Sequence, residues 1–124
     1  MSARRALALT MCLALFACGR DSPQSEGSNE NLRQGKIEID RAACGSCHVV
    51  PEVAGADSLA GPPLTAFGDR KYIAGLLPNT PDNLALWIAH PQRIAPGNAM
   101  PDMGLSEHQA HDIAAYLESL HEAP

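Results

Sequence analysis

Residues Ala43-Cys44-Gly45-Ser46-Cys47-His48-Val49, "ACGSCHV", place two thiols and an imidazole within five positions. Three chemistries use that spacing: a redox dithiol, half of a zinc site, and covalent attachment of a porphyrin. The flanking sequence decides among them.

A redox dithiol sits at a strand-to-helix junction of a βαβ unit, and no strand pattern precedes Cys44. A zinc site requires a second ligand pair. The chain has no second C-x-x-C, and His108 with His111 lacks a matching partner. Haem attachment explains each residue: the thiols of Cys44 and Cys47 add across two vinyl groups whose separation sets the C-x-x-C interval, and the adjacent His48 is carried under the iron. One ring nitrogen of His48 then binds iron, and its other N–H needs an acceptor that fixes the tautomer.

Working outward, Leu32, Gly35, Ile39, Ala42 and Ala43 share a helical face that leads into Cys44. Gly35 costs such a helix about 1 kcal/mol relative to Ala, which close contact with another helix would offset. Downstream, "LPNTPDNLALWIAHP" predicts a short helix capped by Thr80, opened by Pro81 and terminated by Pro91. His90, just before that proline, reads as an exposed helix-end residue near the last carbonyls. Ser106 and Gln109 form a capping box for the last helix, whose apolar stripe is Ala110, Ile113, Ala114, Leu117 and Leu120. No alternating run of strand length occurs. The expected architecture is short helices joined by long Pro- and Gly-bearing loops.

Such a chain is short of core. Without its first residues it holds one Phe (Phe67), two Tyr (Tyr72 and Tyr116) and one Trp (Trp87), and the segment from Cys47 to Leu77 is long for so small a domain. A flat, largely apolar haem would fill the middle, as small scaffolds commonly require a staple of some kind.

The 124 residues suffice for one small domain plus targeting or linker sequence. Arg4 and Arg5 precede the apolar run "ALALTMCLALFA" over 6–17, too short to span a bilayer as a mature helix and suited to an export signal. Leu15-Phe16-Ala17-Cys18-Gly19 resembles the lipobox of bacterial lipoproteins, in which the cysteine is acylated and becomes the mature amino terminus. Phe16 is bulkier than that pattern prefers, so ordinary signal cleavage with Cys18 as a bystander is the alternative. Acyl chains at about 0.8 kcal/mol per buried methylene would hold the protein at a membrane while the domain stays outside the bilayer. Residues 19–31, "GRDSPQSEGSNEN", are almost devoid of apolar side chains and read as a flexible tether, with the folded part starting near Leu32.

Export changes two counts. Cys12 leaves with the signal and Cys18 carries lipid, so Cys44 and Cys47 are left in an oxidising compartment and a disulfide scaffold is excluded. Loss of Arg4 and Arg5 leaves seven basic against fourteen acidic side chains, a formal charge of −7. Nucleic acid is therefore not an expected partner.

From Leu32 to Leu120 the chain resembles a class I, monohaem cytochrome c, and is similar to the bacterial domains that accompany or are fused to haem-copper oxidases. The likeness rests on "GKIEIDRAACGSCH", "GPPL", "YIAGLLPNTPDNLALWIAHP" and "PGNAMPDMGLSEHQAHDIAAYL", which stand in the family's order. It implies an all-α cytochrome c fold wrapped around one covalent haem c, with Gly35 and Ile39 of the first helix crossing Ile113 and Tyr116 of the last. The implied organisation is a signal peptide over 1–17, a tether over 18–31 and the cytochrome domain over 32–121.

The resemblance also assigns roles. It makes Met100, in a Pro-Gly-x-x-Met-Pro-like loop, the second axial iron ligand opposite His48. The residues agree with this: Met100 lies 52 positions after His48, enough chain to cross to the other haem face, and Pro96, Gly97 and Pro101 restrict its loop. Met103 is the rival ligand. By the same resemblance the Pro62 carbonyl accepts the His48 N–H, while Tyr72, Trp87 and Asn98 match positions that line the haem or hydrogen-bond its propionates or the ligand methionine. Arg70 either neutralises a propionate or is an exposed loop arginine. One departure stands out: better-known soluble members are rimmed by lysines, and this domain is acidic.

A soft thioether ligand favours Fe(II) and so raises the reduction potential. With both axial sites filled by protein, the expected activity is outer-sphere electron transfer without a small-molecule substrate, not enzymatic turnover, on the periplasmic side of a bacterial membrane or, without the anchor, free in the periplasm. The expected partners are redox proteins, a terminal oxidase as acceptor and a dehydrogenase as donor, with Lys71 and Arg93 as a local docking patch. A haem subunit of a dehydrogenase, a peroxidase-like protein in which Met100 is displaced, and a haem sensor are the alternatives.

Overall fold

The computed structural model describes residues 23–122. The expected signal segment, Cys18 and the start of the tether lie outside them. Helix α1 spans Pro23–Arg41, α2 Pro81–Ala89, α3 Pro91–Ile94 and α4 Glu107–Glu118. Short 3₁₀ turns occur at Cys44–Ser46 and Phe67–Asp69, and two two-residue strands, β1 (Tyr72–Ile73) and β2 (Leu77–Pro78), pair antiparallel. Among the described residues no helix is long and apolar enough to cross a membrane.

Helix α1 starts well before Leu32, so the last part of the expected tether is helical. The extension buries nothing at residues 28–31, which are exposed. Its physical source is propagation: once the packed part nucleates the helix, each added residue gains a hydrogen bond at little further cost, and Glu30 pairs with Arg33 one turn on. The helix also stops earlier than its apolar stripe. Ala42 and Ala43 lie beyond it, with Ala43 in the left-handed region at φ 55°, so the chain turns sharply just before Cys44.

Helix α4 packs against both α1 and α2, and these two contacts dominate the tertiary structure. Ile39 from α1, Leu84 and Ile88 from α2, and Ala110, Ile113, Ala114 and Leu117 from α4 are buried together. Burying each large aliphatic side chain contributes about 2 kcal/mol. The α1–α4 crossing is possible because residue 35 has no side chain: a Cβ there would collide with the Asp112 carbonyl oxygen and come within 2.9 Å of Tyr116 Cβ. That is the packing reason a mid-helix glycine requires.

Polar groups lock the same crossing. The buried Glu38 carboxylate accepts from Gln109 Nε2 (2.9 Å), Gln34 Nε2 (2.7 Å) and Arg41 (3.1 Å). These partners, Gln109 first, hold its carboxyl below the ordinary glutamate value. Gln109 also completes the capping box with Ser106, so one amide both caps α4 and ties it to α1. Tyr116 Oη donates to the Pro51 carbonyl at 2.8 Å, which fastens α4 to the segment just after His48.

Two expected features take a different form. Pro91 ends α2 and also opens α3 at its first position, because a proline that breaks the preceding hydrogen bond is preorganised to start a new turn. His90, the junction residue, is half-buried and lines a groove of about 300 Å³ with Leu86 and His111 rather than standing free in solvent.

Candidate haem site

The Cys44–His48 turn is built from short-range main-chain bonds. The amides of Cys47 and His48 both donate to the Cys44 carbonyl, at 3.2 and 3.0 Å, and the Ser46 amide donates to that of Ala43. Both cysteines are free thiols, Cys44 half-buried against the core and Cys47 exposed. Burial pushes the Cys44 thiol above its ordinary value. Among the described residues no three His, Cys, Asp or Glu side chains are gathered as a metal-ion cage would need.

His48 is held from the loop that returns over the turn. Its Nδ1 lies 2.7 Å from the Pro62 carbonyl oxygen, and the Gly61 amide donates to the Cys47 carbonyl at 2.6 Å. A carbonyl accepts and never donates, so Nδ1 carries the proton and Nε2 is left with its lone pair. Gly61 is required for this approach, since a Cβ at that position would stand 2.6 Å from His48 Cε1.

Met100 is half-buried in the loop after α3. Its amide donates to Asn98 Oδ1 at 2.8 Å, and Asn98 Nδ2 donates to the carbonyls of Pro91 (3.0 Å) and Ala95 (2.7 Å). Gly97 takes φ +82° in the same loop, a conformation that glycine adopts without strain. Met103, the rival, is 40% exposed. Trp87 is half-buried against the core, whereas Tyr72 on β1 is 61% exposed. Arg70 is half-buried rather than an exposed loop arginine: its guanidinium donates to the Pro63 and Thr65 carbonyls and stacks 4.7 Å from the Phe67 ring centroid, bracing its own loop.

Sequence reasoning missed two amide side chains. Asn79 donates to the carbonyls of Phe67 and Arg70, and Gln92 bonds three main-chain groups of the Met100 loop. Asn79 lies within the quoted stretch 72–91 without being marked by any spacing there, and Gln92 lies outside the quoted stretches. The only local hint for Gln92 is its place in the first turn of a proline-opened helix shortly before a glycine turn.

The cytochrome c family profile matches residues 33–121. The chain belongs to the cytochrome c family. Members carry a covalently bound haem c, and this cytochrome is similar to three curated proteins. Cytochrome c oxidase subunit 2 of Alkalihalophilus pseudofirmus is 40% identical over 101 residues, covering 80% of this chain and 29% of that protein. The subunit 2 of Bacillus sp. strain PS3 is 37% identical over 82 residues, covering 63% and 23%, and that of Bacillus subtilis is 30% identical over 101, covering 78% and 28%. The cytochrome thus spans less than a third of the length of these relatives. No solved structure matches it significantly.

The residues present fit the cofactor of the family. The Pro62 carbonyl leaves His48 Nε2 as the free donor that an iron ligand must offer. Cys44 and Cys47, unpaired and at opposite ends of one tight turn, are available for thioether bonds.

Proposed function

We propose that this cytochrome is an exported one-electron carrier, attached through Cys18 to the periplasmic side of a bacterial membrane, that delivers electrons to a terminal oxidase. When bound, the haem supplies a one-electron Fe(III)/Fe(II) couple. Cys44 and Cys47 would hold it through thioethers, and His48 Nε2 and the Met100 thioether would be the side-chain ligands of its iron. The observation that carries the reading is the 2.7 Å contact between His48 Nδ1 and the Pro62 carbonyl. It fixes the tautomer and ring plane, and makes the imidazole a better donor.

With both His48 and Met100 given to the iron, no substrate would reach the metal, and the activity would be electron exchange rather than enzymatic turnover. The soft sulfur of Met100 favours the reduced state. Tyr72 and Trp87 line the haem in this reading, and Asn98 acts on the Met100 amide. The chain's acidic balance favours a partner with a positive face. The oxidase as acceptor is supported by the subunit 2 names of the relatives.

The test uses holoprotein purified from a strain competent in cytochrome c maturation. Met100→Ala is expected to abolish the methionine-to-iron charge-transfer band of the ferric protein and lower the reduction potential, while Met103→Ala leaves both in place. An unchanged spectrum in Met100→Ala would move the ligand to Met103 or a histidine. Reduced wild-type protein is expected to be reoxidised by membranes containing a terminal oxidase and to stay reduced when that oxidase is inhibited.

A further inference from the structure

The loop that bears Met100 has little apolar packing of its own. Pro96, Gly97, Ala99, Pro101, Asp102 and Met103 are all exposed, so burial does not define its path. Hydrogen bonds do, and many converge on one residue outside the loop. Gln92 Nε2 donates to the Asn98 carbonyl at 2.9 Å and to the Met100 carbonyl at 2.7 Å, while Gln92 Oε1 accepts from the Gly97 amide at 3.0 Å. Its own amide donates to Asp102 Oδ1 at 3.2 Å. Both ends of a single primary amide are therefore used, and four of the six residues from Gly97 to Asp102 are bonded to this glutamine.

Asn98 supplies the complementary half by accepting from the Met100 amide. The peptide groups on both sides of the Met100 Cα are thus fixed, one by Asn98 and one by Gln92. With its flanking main chain pinned, the thioether has only side-chain torsions left to search. A thioether is a weak ligand, and it stays on iron only if the alternatives cost more. A rigid loop supplies that cost, because dissociated sulfur has few other places to go.

We infer that Gln92 is a positioning residue for the distal iron ligand: its amide holds the main chain of the loop so that Met100 remains on the metal. The inference rests on Met100 being that ligand. It assigns Gln92 no contact with haem, and its effect passes through the carbonyl of Met100 and the turn at Gly97.

Two substitutions in the ferric holoprotein separate positioning from packing. Gln92→Met keeps the volume and removes every side-chain hydrogen bond. Gln92→Glu keeps the acceptor for Gly97 but turns a carboxylate oxygen toward the two carbonyls. Cyanide binding, which requires the methionine to leave, is expected to accelerate about tenfold in Gln92→Met, for the loss of hydrogen bonds of ordinary strength, and further in Gln92→Glu. The methionine-to-iron band is expected to weaken in the same order. Wild-type rates and an intact band in both variants would overturn the inference while leaving Met100 as ligand; a wild-type protein that lacks the band would instead overturn the ligand assignment. Hydrogen exchange on the wild-type holoprotein gives an independent reading, since Gly97 is exposed and its amide has Gln92 as acceptor. Slow exchange at Gly97 is expected, and exchange at the free-peptide rate would overturn the inference even if neither variant folds.

Discussion

The α1–α4 crossing and the loops that carry His48 and Met100 are stabilised by opposite means. At the crossing, position is set by volume: Gly35 leaves no gap against Asp112, and Ile39 and Ile113 are almost wholly buried. In the loops, position is set by directional bonds to main-chain atoms, from the His48 ring to the Pro62 carbonyl and from the Gln92 and Asn98 side chains to the Met100 segment. The difference teaches where damage should appear. Errors in volume are felt by the whole cooperative unit, whereas errors in loop bonds should shift His48 and Met100 and leave the helices standing.

The largest effect is expected at Gly35. Gly35→Val forces side-chain atoms into the Asp112 carbonyl and should cost about 3 kcal/mol, read as a lower urea midpoint with an unchanged spectrum for whatever protein remains folded. An unchanged midpoint would show that the crossing has slack and would break the comparison. Gln109→Ala follows, at about 1.5 kcal/mol, because it removes the half of the capping box that accepts from the Ser106 amide, together with the principal partner of buried Glu38. Tyr116→Phe should lose about 1 kcal/mol through the orphaned Pro51 carbonyl; a loss near zero would mean that water replaces the hydroxyl.

Glu38 sharpens the comparison by pH. Its carboxyl titrates below the ordinary glutamate value when folded, chiefly through Gln109. The stability it contributes is therefore complete above the unfolded-state pKa and is lost as pH falls through the folded-state pKa. Asp69, held low by His121 and the Glu122 amide, titrates in the same sense. Urea midpoints measured from neutral to acid pH should fall less steeply in Glu38→Gln than in wild type, and parallel curves would remove Glu38 from the crossing's electrostatics. The smallest effect is expected at Pro62. Its acceptor is a main-chain carbonyl that any residue provides, so Pro62→Ala should shift the midpoint by less than about 1 kcal/mol and leave the ferric spectrum unchanged. A large spectral change would mean that the proline ring itself places the carbonyl.

The helical frame was legible in the sequence where periodicity and capping act together. Thr80 with Pro81 and Ser106 with Gln109 mark the starts of α2 and α4 because capping is local chemistry, decided within four residues. Gly35 was legible as a problem in need of a neighbour, and Asp112 and Tyr116 are that neighbour. The beginning of α1 was not legible, since helix propagation through a polar segment leaves no apolar trace. Nor was the two-stranded β1–β2 ribbon, because two-residue strands are too short for alternation to register.

The site divides in the same way. Cys44, Cys47 and His48 announce themselves by spacing, since the cofactor's dimensions are written into the interval. Pro62 and Met100 came through family resemblance. Gln92 and Asn79 escaped notice because their partners are main-chain carbonyls and amides, which every residue possesses, so no pattern of side chains records the contact. Arg70 is a charged side chain that invites a functional role, and its bonds to the carbonyls of its own loop left no trace in the sequence either.

The account stands on haem bonded to Cys44 and Cys47, and intact mass together with thiol alkylation of the purified, folded protein tests it most directly. The mass should exceed that of the polypeptide chain, with whatever lipid it carries, by one haem, with neither Cys44 nor Cys47 open to alkylation after denaturation. A folded, colourless protein of unmodified mass, with both thiols alkylated, would contradict it.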